Sequence, residues 1–140
     1  MVFFSYSEIF DKVKSILEEI ETINPQSAEE IEQLEQVVSV TTDMHHTAMR
    51  YAKPGMTEAH LAGIAAGAMM ANGAESTGYP VWCCSGPNST QAISRPTLRT
   101  VKEGEIIHFS VGAKVSGYSA SIGRPVVLGK CPDATKKFMQ

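Results

Sequence analysis

Apolar residues recur at helical spacing through the first half of the chain, and from about Gly78 they fall into short β-prone runs broken by Gly, Pro and Asn. Ile9, Val13, Ile16, Leu17 and Ile20 line one stripe between Ser5 and about Thr22, and Ser5 with Glu8 has the spacing of a capping box. Asn24-Pro25-Gln26 breaks that pattern. Ser27 and Glu30 repeat the capping spacing ahead of Ile31, Leu34, Val37, Val38, Thr41 and Met44, so a long helix is predicted to about Tyr51. Lys53-Pro54-Gly55 stops it. Thr57 can cap a third helix, whose stripe is Leu61, Ile64, Ala65, Ala68 and Met69, with Gly73 as its left-handed stop. Strands are predicted over Tyr79–Cys84, Ile106–Val111 and Tyr118–Leu128, the last two joined at Ser116-Gly117 as a hairpin. Turns fall at Gly86-Pro87-Asn88 and around Lys102-Glu103-Gly104. A further helix starts at Pro132-Asp133.

This order of elements makes the class α+β, with helices on one face of a mainly antiparallel sheet. Residues 1–26 read as an N-terminal helix and linker and residues 27–140 as one domain. At 140 residues, 43% of them apolar, the chain can bury a single core. Its net charge of −3 comes from interspersed acids and bases. That leaves no basic stripe for nucleic acid and no polybasic patch for a membrane. The apolar opening Met1–Phe4 is followed at once by Ser5, Glu8 and Asp11, so neither a signal peptide nor a span is expected and the expected location is cytoplasmic. Cys83, Cys84 and Cys131 are an odd number without framework spacing and are expected as free thiols. Strand alternation sends Cys83 and Cys84 to opposite faces, which makes them a poor chelating pair.

From about Glu29 to Gly129 the landmarks come in a characteristic order. A long helix is followed by Lys53-Pro54-Gly55-Met56-Thr57-Glu58 and a small-residue helix ending at Asn72-Gly73-Ala74. Then come Cys84-Ser85-Gly86-Pro87-Asn88, Arg95-Pro96, Val101-Lys102-Glu103-Gly104-Glu105 and Gly117-Tyr118-Ser119-Ala120-Ser121-Ile122-Gly123-Arg124. The order resembles the first half of the pita-bread catalytic domain of the creatinase, prolidase, aminopeptidase P and methionine aminopeptidase family. The resemblance implies hydrolysis of carbon–nitrogen bonds. In that family two aspartates of this half coordinate two divalent metals, and they match Ser110 and Ser121. Serine hydroxyls bring no charge to offset dehydration of such an ion. The family's histidine after the Ser-Gly-x-Asn turn matches Ile93, which can neither carry nor donate a proton. No metal site and no cofactor are therefore expected here, and metal-dependent peptidase activity is not expected of this chain.

Several residues stay in play. His108 shares a strand face with Ser110, and Ser119 shares one with Ser121. If those faces match, His108 can serve as base, with Ser110 or Ser121 as hydrogen-bonding partner or nucleophile, in a metal-free pocket. The plainer reading is a hydrogen-bonded histidine within a sheet and serines filling vacated volume. Arg124 matches the family's arginine and is read as a structural ion pair or a substrate contact. Ile93 marks the former histidine position, and Trp82 with Tyr79 is read as an apolar substrate wall or as sheet core. His45, His46 and His60 are read as surface or packing residues, and Asp43 and Glu58 as solvated helix residues.

The resemblance implies a hydrolase-like domain of Xaa-Pro peptidase or creatinase type, inactive when standing alone. The alternatives are a metal-independent, creatinase-like hydrolase of a small amide or amidine, since creatinase works without metal, and a non-catalytic protein-interaction module. A small amide or peptide is the expected substrate class. A half-domain exposes a sheet face and an edge, so either the chain is expected to be a piece of a longer protein whose missing second half covers them, or it is expected to pair with a second chain or with itself as a homo-oligomer.

Overall fold

The computed structural model describes residues 27–91 and 93–139. The helix expected over 5–22 lies outside the described residues. The chain divides into two compact units between Ile31 and Glu32. Of the first, residues 27–31 are described, and they carry the capping box. Ser27 N donates to Glu30 Oε2 at 2.8 Å and Glu30 N donates to Ser27 Oγ at 3.2 Å. Two of the helix's unpaired N-terminal donors are thereby satisfied.

The second unit holds the core. Helix α1 (Ala28–Tyr51) buries Val37, Val40, Thr41, Met44, His45 and Ala48 along one stripe. Helix α2 (Glu58–Ala71) buries Leu61, Ala65 and Met69 on the predicted face. Thr57 caps α2 through His60 N, and Gly73 turns the chain at φ +84°. The first two donors of α2 are taken up by the chain running beside it: Glu58 N donates to Arg99 O at 3.1 Å and Ala59 N to Thr97 O at 3.0 Å.

Among the described residues four strands follow, all paired antiparallel. β1 (Ser76–Thr77) and β2 (Trp82–Ser85) both lie against β3 (Ile106–Val115), and β4 (Tyr118–Val127) flanks its other side. The strand expected over Tyr79–Cys84 is corrected: pairing begins at Trp82 and runs to Ser85, and Tyr79-Pro80 belongs to the connection. Pro80 has no N–H to give a ladder. The hairpin between β3 and β4 turns at Ser116 and Gly117 with φ +51° and +84°, the left-handed pair that two-residue hairpins require. A short 3-10 turn (Gly86–Thr90) follows β2, and helix α3 (Asp133–Met139) follows β4.

Ile107, Phe109, Val111, Ala113 and Val115 of β3 face the helices and join Val37, Met44, Leu61, Ala65 and Cys83 in one cluster. Thr41 ties α1 to this sheet, because its hydroxyl oxygen accepts from Ala113 N at 3.3 Å while lying 2.8 Å from Val37 O. Among the described residues, no helix is long and apolar enough to cross a membrane.

Candidate functional site

Directly opposed residues of an antiparallel pair share a face, so the register sorts the candidates. Trp82, Ser110 and Gly123 form one row across three strands, and Cys84, His108 and Pro125 form the next. Gly112 pairs with Ser121, and Lys114 with Ser119. His108, Ser110, Ser119 and Ser121 thus lie on one face, turned away from the helices. Cys83, Phe109 and Arg124 form a row on the other face. Arg124 is therefore separated by the sheet from Ser110. The odd spacing of Ser121 and Arg124 in one strand was the signal for this.

Ser110 is 8% exposed, and its hydroxyl is engaged. The Tyr79 phenol donates to Val111 O at 2.8 Å, so its oxygen, 2.8 Å from Ser110 Oγ, accepts from that hydroxyl. The Tyr79 ring lies over Gly112, where an added Cβ would come within 2.7 Å of it. Tyr79 also packs on Trp82, with ring centroids 4.9 Å apart. The sheet-core expectation for these two aromatics is corrected: they stack on each other on the serine-bearing face, because Gly112 leaves room for a ring. Ser121 is exposed, and Ile93 is 71% exposed in the loop after the 3-10 turn. His108 is half-buried on this face, beside Cys84 and Pro125 in its row.

A divalent-metal centre needs anionic or imidazole donors converging on one point. The face carrying Ser110 and Ser121 presents hydroxyls, a thiol, one imidazole and Lys114, without a carboxylate. Ser110 is bound to a phenol at the same time. Among the described residues, no group of three or more His, Cys, Asp or Glu side chains could hold a metal ion. The donors on this face do not fit a di-metal centre.

The strongest polar constellation was read as solvent-exposed from sequence. Glu58 is fully buried, which corrects that expectation. Its carboxylate accepts from Ser85 N and Oγ at 2.7 and 2.8 Å, from Thr97 N and Oγ1 at 3.0 and 2.6 Å, and from Asn88 Nδ2 at 3.2 Å. Burial by itself would raise its pKa, but the bonds from Thr97 and Ser85 together outweigh it and hold the carboxyl below the ordinary value. Arg99 extends the cluster, donating to Ser85 Oγ at 2.6 Å and gripping both oxygens of Glu105. Its hydrogen bonds with Glu105 keep that carboxyl low as well. The network clamps both ends of the loop that carries Ile93. Its sequence signal was the acid immediately after a cap, followed downstream by Ser85, Asn88 and Thr97, all able to donate.

His45 was expected on the surface or in packing, and it packs. It is 5% exposed, 5.6 Å from the Phe109 ring, with neither ring nitrogen hydrogen-bonded. Burial foremost, then the neighbouring positive charges of His46 and Arg124, lower its pKa. Asp43, His46 and His60 are exposed. Cys83 and Cys84 alternate between the faces as expected. Both are buried, and burial pushes the Cys83 thiol up to about 12, so it is no nucleophile at neutral pH.

Comparison with known proteins agrees with this architecture. The chain is 26% identical over 139 residues to an uncharacterized peptidase of Bacillus subtilis, covering 97% of this chain and 39% of the relative. It is 26% identical over 132 residues to a putative Xaa-Pro aminopeptidase of Mycoplasma genitalium, covering 90% and 37%. The chain therefore spans about two-fifths of the length of these relatives. An X-Pro aminopeptidase from Thermotoga maritima superimposes with a TM-score of 0.76 at 25% identity, covering 86% of this chain and 34% of that one. Prolidase from Pyrococcus furiosus gives 0.78 at 21% identity, covering 96% and 42%. The fold is that of the first part of a pita-bread domain. The sequence profile of metallopeptidase family M24 matches residues 32–140, the whole of the described sheet and all but the first four residues of α1, and the chain belongs to that family.

Proposed function

We propose that this chain is the first part of an Xaa-Pro-peptidase-type domain that has lost its own contribution to the metal centre, and that by itself it does not hydrolyse peptides. One observation carries the reading. The face of β3 and β4 holding Ser110 and Ser121, which match the family's metal aspartates, presents no carboxylate, and the Ser110 hydroxyl is bound to Tyr79. The kinship with putative Xaa-Pro aminopeptidases supports the peptidase type. The relatives are much longer than this chain, so the proposal concerns its own residues.

Calorimetric titration with Mn²⁺ and Co²⁺, beside a hydrolysis assay on Xaa-Pro dipeptides, tests it. Neither saturable metal binding nor turnover is expected. Stoichiometric binding, or hydrolysis abolished by a chelator, sinks the proposal. In the Ser110→Asp, Ser121→Asp double variant a measurable affinity for Mn²⁺ is expected, because two carboxylates return to one face.

A further inference from the structure

We propose a second site on the opposite side of the sheet: a groove between α1 and β4 that binds a short aliphatic carboxylate through Arg124. The groove has a volume of about 240 Å³ and is lined by Val38, Thr41 and Thr42 of α1 and by Ala120 to Arg124 of β4. It is small beside the several hundred Å³ of drug-sized pockets, which restricts its occupant to a short chain.

Its chemistry has two parts. Arg124 supplies a cation whose recorded bond is Nη1 to Gly123 O, its neighbour's carbonyl, at 2.9 Å. Among the described residues no acid pairs with it. The remaining guanidinium donors form a planar fork of the kind that matches a carboxylate. The Thr42 hydroxyl donates to Val38 O and the Thr41 hydroxyl to Val37 O, and among the described residues neither is bonded to the guanidinium. Next door, buried His45, one turn beyond Thr41, keeps both ring nitrogens unpartnered; burial foremost, then the charges of His46 and Arg124, lower its pKa, so the guanidinium is the charge this groove offers. Val38, 52% exposed, with Ala120 and Ile122, supplies an apolar wall. A charged fork at one end of an apolar wall selects a carboxylate on a short aliphatic stem. It disfavours a bare anion, which gains nothing from that wall, and a neutral amide, which gains nothing from the cation.

Ser121 and Gly123 also border the groove, but Ala120, Ile122 and Arg124, which carry its chemistry, lie on the α1 side of β4, and the site does not rest on the reading above. Its test is an amide ¹H–¹⁵N titration of the whole chain with isovalerate, isovaleramide and inorganic phosphate. Saturable shifts at Thr41, Thr42 and Ile122 to Arg124 are expected with isovalerate, with affinity at least tenfold weaker for the other two. Arg124→Gln is expected to abolish them with the rest of the spectrum unchanged. Val38→Glu, at an exposed position, is expected to abolish them by placing a competing acid in the groove. No saturable shift, equal binding of isovaleramide or phosphate, or full binding by a folded Arg124→Gln or Val38→Glu chain overturns the proposal. Such an acid is either free or the end of a peptide. Binding of acetyl-glycyl-valine at like affinity assigns the peptide end, and its exclusion assigns the free acid.

Discussion

The Ser110 hydroxyl donates to the Tyr79 phenol oxygen across 2.8 Å, and the phenol donates in turn to the Val111 carbonyl. Ser110 is thus a fixed element of the sheet face rather than a free hydroxyl. Tyr79→Phe keeps the ring and removes both bonds, so a loss of about 1 kcal/mol is expected in urea denaturation. An unchanged midpoint would show that the pair contributes nothing.

Gly112 is what allows the Tyr79 ring to lie there. A Cβ at this position would meet the ring at 2.7 Å and Ala120 O at 2.8 Å. Gly112→Ala is expected to cost more than Tyr79→Phe, about 1–3 kcal/mol as in other overpacked sites. Because Tyr79 stacks on Trp82, the single tryptophan should report the displacement as a change in emission maximum.

Glu58 joins Ser85, Asn88 and Thr97 around one buried carboxylate. Glu58→Ala strands several donors and is expected to cost roughly 3 kcal/mol or more. Glu58→Gln keeps one acceptor and should cost less. Hydrogen exchange should quicken first at the Ser85 and Thr97 amides. If the alanine variant unfolds at the wild-type denaturant concentration, the clamp has been misread.

Gly86 crosses the Arg99–Glu105 pair at φ +49°, and an added Cβ would lie 2.8 Å from Glu105 Oε1 and 2.9 Å from Arg99 Nη2. Gly86→Ala combines left-handed strain with a push on that pair. A loss of about 1–3 kcal/mol is expected. Arg99→Lys should also destabilise the chain, since a lysine cannot reproduce the two-point grip on Glu105.

Acid should weaken the fold in two stages. His45 has a folded pKa below its ordinary 6.5, so the unfolded state binds its proton first and stability falls as pH drops below about that value. His46 and Arg124 are the charged groups that face it. Glu58, with a folded pKa below 4.5, adds a second decline as pH falls from there through its folded value. His45→Phe should flatten the first stage and leave the second, as followed by melting temperature against pH. Loss of both stages together would assign them to another group.

Much of the fold was legible because helices and strands are written in local periods. The Ser27–Glu30 capping box, the stop at Gly73, the Ser116-Gly117 hairpin and the buried stripes of α1 and α2 each depend on residues within a few positions of one another. The order of landmarks also carried the family, which residues 32–140 match. Alternation alone correctly gathered His108 and Ser110 on one strand face, and Ser119 and Ser121 on another.

The sequence by itself determined the long helices with their stops and the hairpin of β3 and β4, though not β1 or the full extents of β2 and β3, and that Ser110, Ser121 and Ile93 stand at the positions where the resembled family has two aspartates and a histidine. Only the tertiary structure decided that Glu58 is buried rather than solvated and that Ser110 is bound to Tyr79. It also decided that Arg124 shares a groove with α1 instead of facing the serines. Each of these depends on partners 27 to 39 residues away for Glu58, 31 for Tyr79 and about 80 for α1 and β4. A local period specifies which side of its own element a residue occupies, whereas burial and pairing follow from what the rest of the chain brings against that side.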